Sequence, residues 1–234
     1  MKIKPINPHE KIVWSDWPGQ ILYPIVIEGC NFRCPHCFTP SLVLPERYTE
    51  NEVTQGQLTE VLRNLDKKWY DGVLVTGGEP TIYKELPDLL KTIKNFDLKI
   101  RLFTNGSNPK MLQELVEKNL VDSIAMDVKN TREKYNETTG VSVNIQDIEE
   151  SMRITSKTKD YEFRTVLNKK FHMRDDAEKI ADWIHNIIRK KPNYVIRNFK
   201  PHLEYISSFP GEPFSLQEFE DIQKNLNNYL VKLE

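Results

Sequence analysis

Short apolar runs alternate along the chain with segments whose apolar residues recur every three or four positions. The runs predict strands over Leu22–Glu28, Gly72–Thr76, Lys99–Thr104, Asp122–Asp127, Tyr161–Leu167 and Tyr194–Phe199. The segments between them carry apolar stripes at helical spacing. These are Leu58, Val61, Leu62 and Leu65, then Leu86, Leu89, Leu90 and Ile93, then Met111, Leu112 and Leu115. Further on come Ile145, Ile148 and Met152, then Ala177, Ile180, Ala181 and Ile184, and last Phe219, Ile222 and Leu226. Strand–helix alternation of this kind means a parallel sheet joined by right-handed crossovers. A doubly wound open sheet and a barrel short of eight units both satisfy the pattern, and periodicity does not choose between them.

In both architectures active groups gather beyond the carboxyl ends of the strands, and the unusual motifs lie there. Three cysteines follow the first strand, Gly77-Gly78-Glu79-Pro80-Thr81 the second, Thr104-Asn105-Gly106 the third, and Asp127-Val128-Lys129 the fourth. No repeat, low-complexity tract or Gly/Ser linker divides the sequence, so one domain is expected over 1–234, with a core of 16–200 and a C-terminal extension of 201–234. Lys and Arg total 33 against 34 Asp and Glu, a net charge of −1, which leaves no electrostatic footprint for nucleic acid or an anionic membrane. No apolar run approaches the ~20 residues of a spanning helix, and the first residues lack a signal-peptide core. A cytoplasmic location is expected.

Cys30, Cys34 and Cys37 are the only cysteines. Three thiols within eight residues cannot make a disulfide framework and point to metal. Thiolates spaced three and two residues apart can wrap one loop around an iron–sulfur cubane and reach three of its irons. The fourth iron then stays open to a small molecule, as catalytic metal sites keep an open position. Gly29 lets the backbone turn tightly beside the cluster. Structural zinc with His36 as fourth ligand is the plainer alternative, but His36 adjoins Cys37, and neighbouring residues rarely both face one ion. Gly77-Gly78-Glu79 alone would read as a strand-to-helix turn with a proline at the helix start. It is not a P-loop, since no Gly-Lys-Ser/Thr follows. Of the histidines, His9, His36, His172, His185 and His202, none share ligand spacing. His185 is expected on a helix surface and His36 beside the cluster.

Cys30-x-x-x-Cys34-x-x-Cys37 directly after a strand resembles the signature of the radical S-adenosylmethionine superfamily. That resemblance implies an incomplete (β/α)6 barrel with one [4Fe–4S] cluster on the three cysteines. It also implies that the methionyl amino and carboxylate groups of S-adenosylmethionine chelate the open iron. An electron from flavodoxin or ferredoxin would then release a 5′-deoxyadenosyl radical. Gly77-Gly78-Glu79-Pro80 resembles the family's second motif, in which backbone and carboxylate receive the methionyl ammonium. Asp16-Trp17-Pro18-Gly19, Thr104-Asn105-Gly106, Met126-Asp127-Val128-Lys129 and Tyr161-Glu162-Phe163-Arg164-Thr165 occur in an order similar to that of glycyl-radical-enzyme activating proteins. Within that group the chain resembles the branch that activates anaerobic ribonucleotide reductase. By that resemblance Thr104 and Asn105 belong to the cosubstrate site, and Asp127 and Lys129 lie near the methionyl carboxylate, Asp127 through a monovalent cation. Arg164 would contact the cosubstrate too, and the substrate would be a glycine of a large partner protein.

The chain departs from the pattern at two places. Phe38-Thr39-Pro40 replaces His-Asn-Pro after the third cysteine, and Phe103 stands where an Asp commonly completes the cation site. A phenyl ring offers no oxygen to a cation. A small-molecule substrate of the deazaguanine type, a ribosomal peptide, and a non-enzymatic iron–sulfur sensor are the competing readings. The extension, with a turn at Phe209-Pro210-Gly211 and an amphipathic helix, is expected to close one end of the barrel.

Overall fold

The computed structural model describes residues 1–4, 17–48, 53–209, 211–226 and 229–233. His9, Asp16 and Pro210, singled out above, lie outside the described residues. One sheet holds eight strands in chain order: β1 (Ile3–Lys4), β2 (Leu22–Ile27), β3 (Gly72–Gly77), β4 (Lys99–Thr104), β5 (Ser123–Asp127), β6 (Asp160–Leu167), β7 (Asn193–Asn198) and β8 (Leu230–Leu233). β1 runs antiparallel to β2, and every other neighbouring pair is parallel.

The strand order settles what periodicity left open. A doubly wound sheet reverses its order at a switch point, whereas here each new strand adds to the same edge, as in a barrel. Among the described residues no pairing joins β1 to β8, so the barrel is incomplete. The six strands read from the sequence are β2–β7, each within one residue at either end.

The helices are α1 (Pro40–Val43), α2 (Gln55–Asn64), α3 (Leu86–Lys94), α4 (Pro109–Glu117), α5 (Tyr135–Thr139), α6 (Ile145–Thr155), α7 (Asp176–Ile188) and α8 (Leu216–Asn225). Thr54 with Gln57 and Ser215 with Glu218 form capping boxes that start α2 and α8. Asn108 and Asn144 cap α4 and α6. The helices bury their stripes on one face of the sheet. Leu62, Leu90, Ile93 and Leu115 pack against Ile25, Ile27, Val75 and Leu102. Met152, Ile180, Ile184 and Ile222 pack against Phe163, Tyr194 and Ile196. Each such side chain contributes roughly 1.5–3 kcal/mol when fully buried.

Strand alternation sends the intervening residues into the lumen. Trp17, Leu22, Leu74 and Phe103 form a small apolar cluster there. Beside it Arg101 pairs with Glu162 at 3.1 Å, both buried, and donates to Ser123 Oγ at 2.7 Å. This lower lumen is filled by side chains, which leaves the upper end as the place for a ligand.

Candidate functional site

The cysteine loop is built from backbone contacts that require glycine. Gly29 has φ +104° and donates to Leu42 O, while its own carbonyl accepts from Glu79 N at 2.7 Å. A Cβ on Gly78 would lie 1.9 Å from that carbonyl oxygen, so the loops after β2 and β3 touch through bare backbone. Arg33 folds back to donate to the carbonyls of Cys30 and Phe32, at 2.7 and 2.8 Å. Cys37 N closes a turn on Cys34 O at 3.0 Å, and Phe32 N donates to Cys30 Sγ at 3.4 Å.

All three cysteines are free, Cys34 buried and the other two half-buried. Burial pushes the Cys30 thiol up to about 12 and the Cys34 thiol up to about 11. They are therefore neutral at physiological pH until a metal displaces their protons. Among the described residues no three His, Cys, Asp or Glu side chains converge on a single ion. A cubane asks for something else, one thiolate at each of three separate iron corners, and three free thiols on one backbone-pinned loop fit that demand.

Glu79 is completely buried between β3 and β4. Its Oε1 accepts from Thr81 N, Thr81 Oγ and Thr104 Oγ at 3.0, 2.5 and 2.8 Å, and its Oε2 accepts from Asn105 N at 2.5 Å. Burial raises its pKa, although these donors favour the charged form. The carboxylate thus ties the Gly77-Gly78-Glu79 loop to Thr104 and Asn105. Asn105 in turn donates to Asn31 of the cysteine loop at 3.0 Å, and Asn31 to Ser107 at 2.8 Å. Three motifs distant in sequence become one network at the strand ends.

Asp127, at the end of β5, divides its oxygens between two cations. Lys129 donates to Oδ2 at 2.8 Å, and Arg164 of β6 donates to Oδ1 through Nε and Nη2 at 3.0 and 2.8 Å. Burial opposes charge on Asp127, but Arg164 and Lys129 outweigh it and hold the carboxyl below its ordinary range. Burial likewise opposes charge on Lys129, and Asp127 and Cys34 raise it nonetheless. Arg164 lies over the ring of Phe103, its Cζ 3.6 Å from the centroid, and its Nη1 is buried without a partner.

The C-terminal extension reaches this end. Ile206 N donates to Cys37 O at 3.2 Å, and His202 stacks on Phe38 at 4.2 Å. His36 packs against both Phe171 and Phe209, whose rings stack on each other. His185 is exposed on α7, as expected. Sequence reasoning missed His172, which is buried and links Asn168 to the backbone carbonyl of Lys129 at 3.1 Å. No motif or spacing marks it.

A partial barrel whose cysteine loop, glycine-rich turn and charged strand ends meet on one face defines a class of cofactor-dependent enzyme. Residues 25–184 match the Radical SAM superfamily, and the chain belongs to it. This family uses a [4Fe–4S] cluster and S-adenosylmethionine. A relative in Methanocaldococcus jannaschii, provisionally described as a glycyl-radical enzyme activating enzyme, is 26% identical over 223 residues, covering 92% of this chain and 88% of its own. An S-adenosylmethionine-dependent nucleotide dehydratase of Lacinutrix mariniflava is 30% identical over 112 residues, 47% of this chain and 23% of its own. Among solved structures, Streptococcus suis SuiB bound to S-adenosylmethionine superposes with a TM-score of 0.70 at 16% identity, over 92% of this chain. The chain spans about half the length of SuiB, 51%.

Proposed function

We propose that this protein activates a glycyl radical enzyme by removing hydrogen from a glycine Cα of that partner, such as an anaerobic ribonucleotide reductase. The observation that carries the reading is the similarity to the M. jannaschii activating-enzyme relative, which runs along 92% of this chain and 88% of the other. The nucleotide dehydratase matches less than half of this chain, which is why a small-molecule substrate is the second choice. Glycine is a chemically sensible target, because its Cα radical is stabilised between a donor nitrogen and an acceptor carbonyl, and no side chain shields it.

In this reading Cys30, Cys34 and Cys37 ligate the cluster. Gly77 and Gly78 let backbone approach the cosubstrate, and Glu79 fixes that loop against Thr104 and Asn105. Lys129 and Arg164, with Asp127 between them, present a net positive end to the methionyl carboxylate. Buried Phe32 and Tyr135 pack around the cysteine loop and keep water out. When bound, cluster and cosubstrate together supply the 5′-deoxyadenosyl radical, after reduction by flavodoxin or ferredoxin. The chain itself binds, orients and excludes water, and needs no acid–base pair.

The test is electron paramagnetic resonance on the reduced protein mixed with S-adenosylmethionine and its candidate partner. The expected result is a doublet that collapses to a singlet when the partner carries α-deuterated glycine. Cleavage of S-adenosylmethionine without that signal, for every glycyl radical protein of the same cell, would favour the small-molecule reading.

A further inference from the structure

Phe103 is a lumen residue beside two positively charged side chains, Arg101 and Arg164, yet it offers them no acid. Two guanidinium groups approach its ring instead. Arg101 is 5.7 Å from the centroid and already neutralised by Glu162, whereas Arg164 is in direct contact at 3.6 Å. We propose that Phe103 is a positioning residue, whose ring holds Arg164 so that its remaining N–H edge meets the carboxylate of S-adenosylmethionine without an intervening metal cation. This rests on assigning the Asp127–Lys129–Arg164 end to that carboxylate.

The guanidinium is planar and offers two faces to rings and two N–H edges to acceptors. Phe103 takes one face by a cation–π contact, and Asp127 takes the Nε/Nη2 edge. Together these fix its plane and its rotation. What remains is Nη1, buried and unpartnered on a side chain only 7% exposed. A buried charged donor without an acceptor is costly, and a bound carboxylate would complete it. The charges agree, since two cations and one Asp leave a single positive charge for one carboxylate to neutralise. An Asp at 103 could serve a cation, but it would also compete for Arg164 and turn it away from Asp127. The ring attracts the same guanidinium without offering an oxygen.

The experiment measures equilibrium binding of S-adenosylmethionine and of its decarboxylated analogue to anaerobically reconstituted protein. Binding is compared in potassium and in choline buffers, for wild type, Phe103→Leu, Phe103→Tyr and Arg164→Met. Phe103→Leu keeps the apolar bulk and loses the π face. It should weaken S-adenosylmethionine binding about five- to tenfold while leaving the analogue within about twofold of wild type. Phe103→Tyr should bind both ligands as wild type does, and potassium should make no difference to any variant. An unchanged Phe103→Leu, an equal loss of both ligands, or a Tyr variant as weak as Leu would overturn the proposal, as would a potassium requirement in wild type. Arg164→Met binding S-adenosylmethionine normally would overturn the assignment of this end itself, and the Phe103 role with it. The readout is affinity, so it stands apart from whether the radical goes on to a glycine.

Discussion

Glu79 shows how a residue named from a motif acquires its physical role only from the structure. The family resemblance implies a carboxylate that receives an ammonium. In the fold that carboxylate accepts four hydrogen bonds from Thr81, Thr104 and Asn105, so its first effect is on the loops. Glu79→Gln replaces one acceptor oxygen by an NH2 facing Asn105 N or the threonines. It should lower stability by about 2–4 kcal/mol in urea unfolding, since a buried donor loses its acceptor. Full stability with S-adenosylmethionine affinity reduced tenfold would mean instead that Glu79 meets the ammonium directly. His172 is the other residue-scale case. Burial lowers its pKa, so it is neutral in the fold and takes up a proton more readily unfolded. Its contribution is therefore complete above about pH 6.5, the unfolded value, and fades as pH falls towards the folded one. Thermal unfolding of wild type from pH 7.5 down to 5 should show a falling Tm, with a shallower fall in His172→Gln. Parallel profiles would contradict this. The cysteine spacing was legible because ligation by one loop is written locally. The Arg164–Phe103 stack and the His172–Lys129 link were not, because strand register and a loop crossing create them.

At the scale of elements, β2–β7 could be read from the sequence because each is a buried apolar run bounded by a polar turn. β1 has two residues and β8 four, too few to carry a period, and both are defined by pairing to a neighbour rather than by their own pattern. α1 and α5, of four and five residues, escaped for the same reason. Whether the sheet was wound one way or two was not written in any element; only the order of strands decides it. The junction of the β2 and β3 loops is where element geometry meets the site. Gly78→Ala forces a Cβ to within 1.9 Å of the Gly29 carbonyl oxygen, whereas a Cβ on Gly19, at φ +75°, would meet nothing within 4 Å. Gly19→Ala should cost only its backbone conformation, about 1 kcal/mol. Gly78→Ala should cost about 2–3 kcal/mol and reduce the iron retained after reconstitution, because the cysteine loop must move. Equal costs for the two, with full iron in both, would refute the loop contact.

At the scale of the whole molecule, the incomplete barrel keeps its lower lumen packed and gathers its chemistry at the upper end. The extension arrives there through Ile206 and His202, which explains Phe38 in physical terms: its ring gives the extension a face to stack on. Among the described residues no helix is long and apolar enough to cross a membrane. The proposed function rests on one event, hydrogen transfer from a glycine Cα to the deoxyadenosyl radical. The most direct measurement is mass spectrometry of the 5′-deoxyadenosine formed when reconstituted, reduced protein meets S-adenosylmethionine and a partner labelled with α-deuterated glycine. The account predicts one deuterium in the 5′-deoxyadenosine, and none when Cys34→Ala replaces wild type. 5′-Deoxyadenosine formed in quantity without deuterium, while a small-molecule extract of the same cell does label it, would contradict the claim that the substrate is a protein glycine.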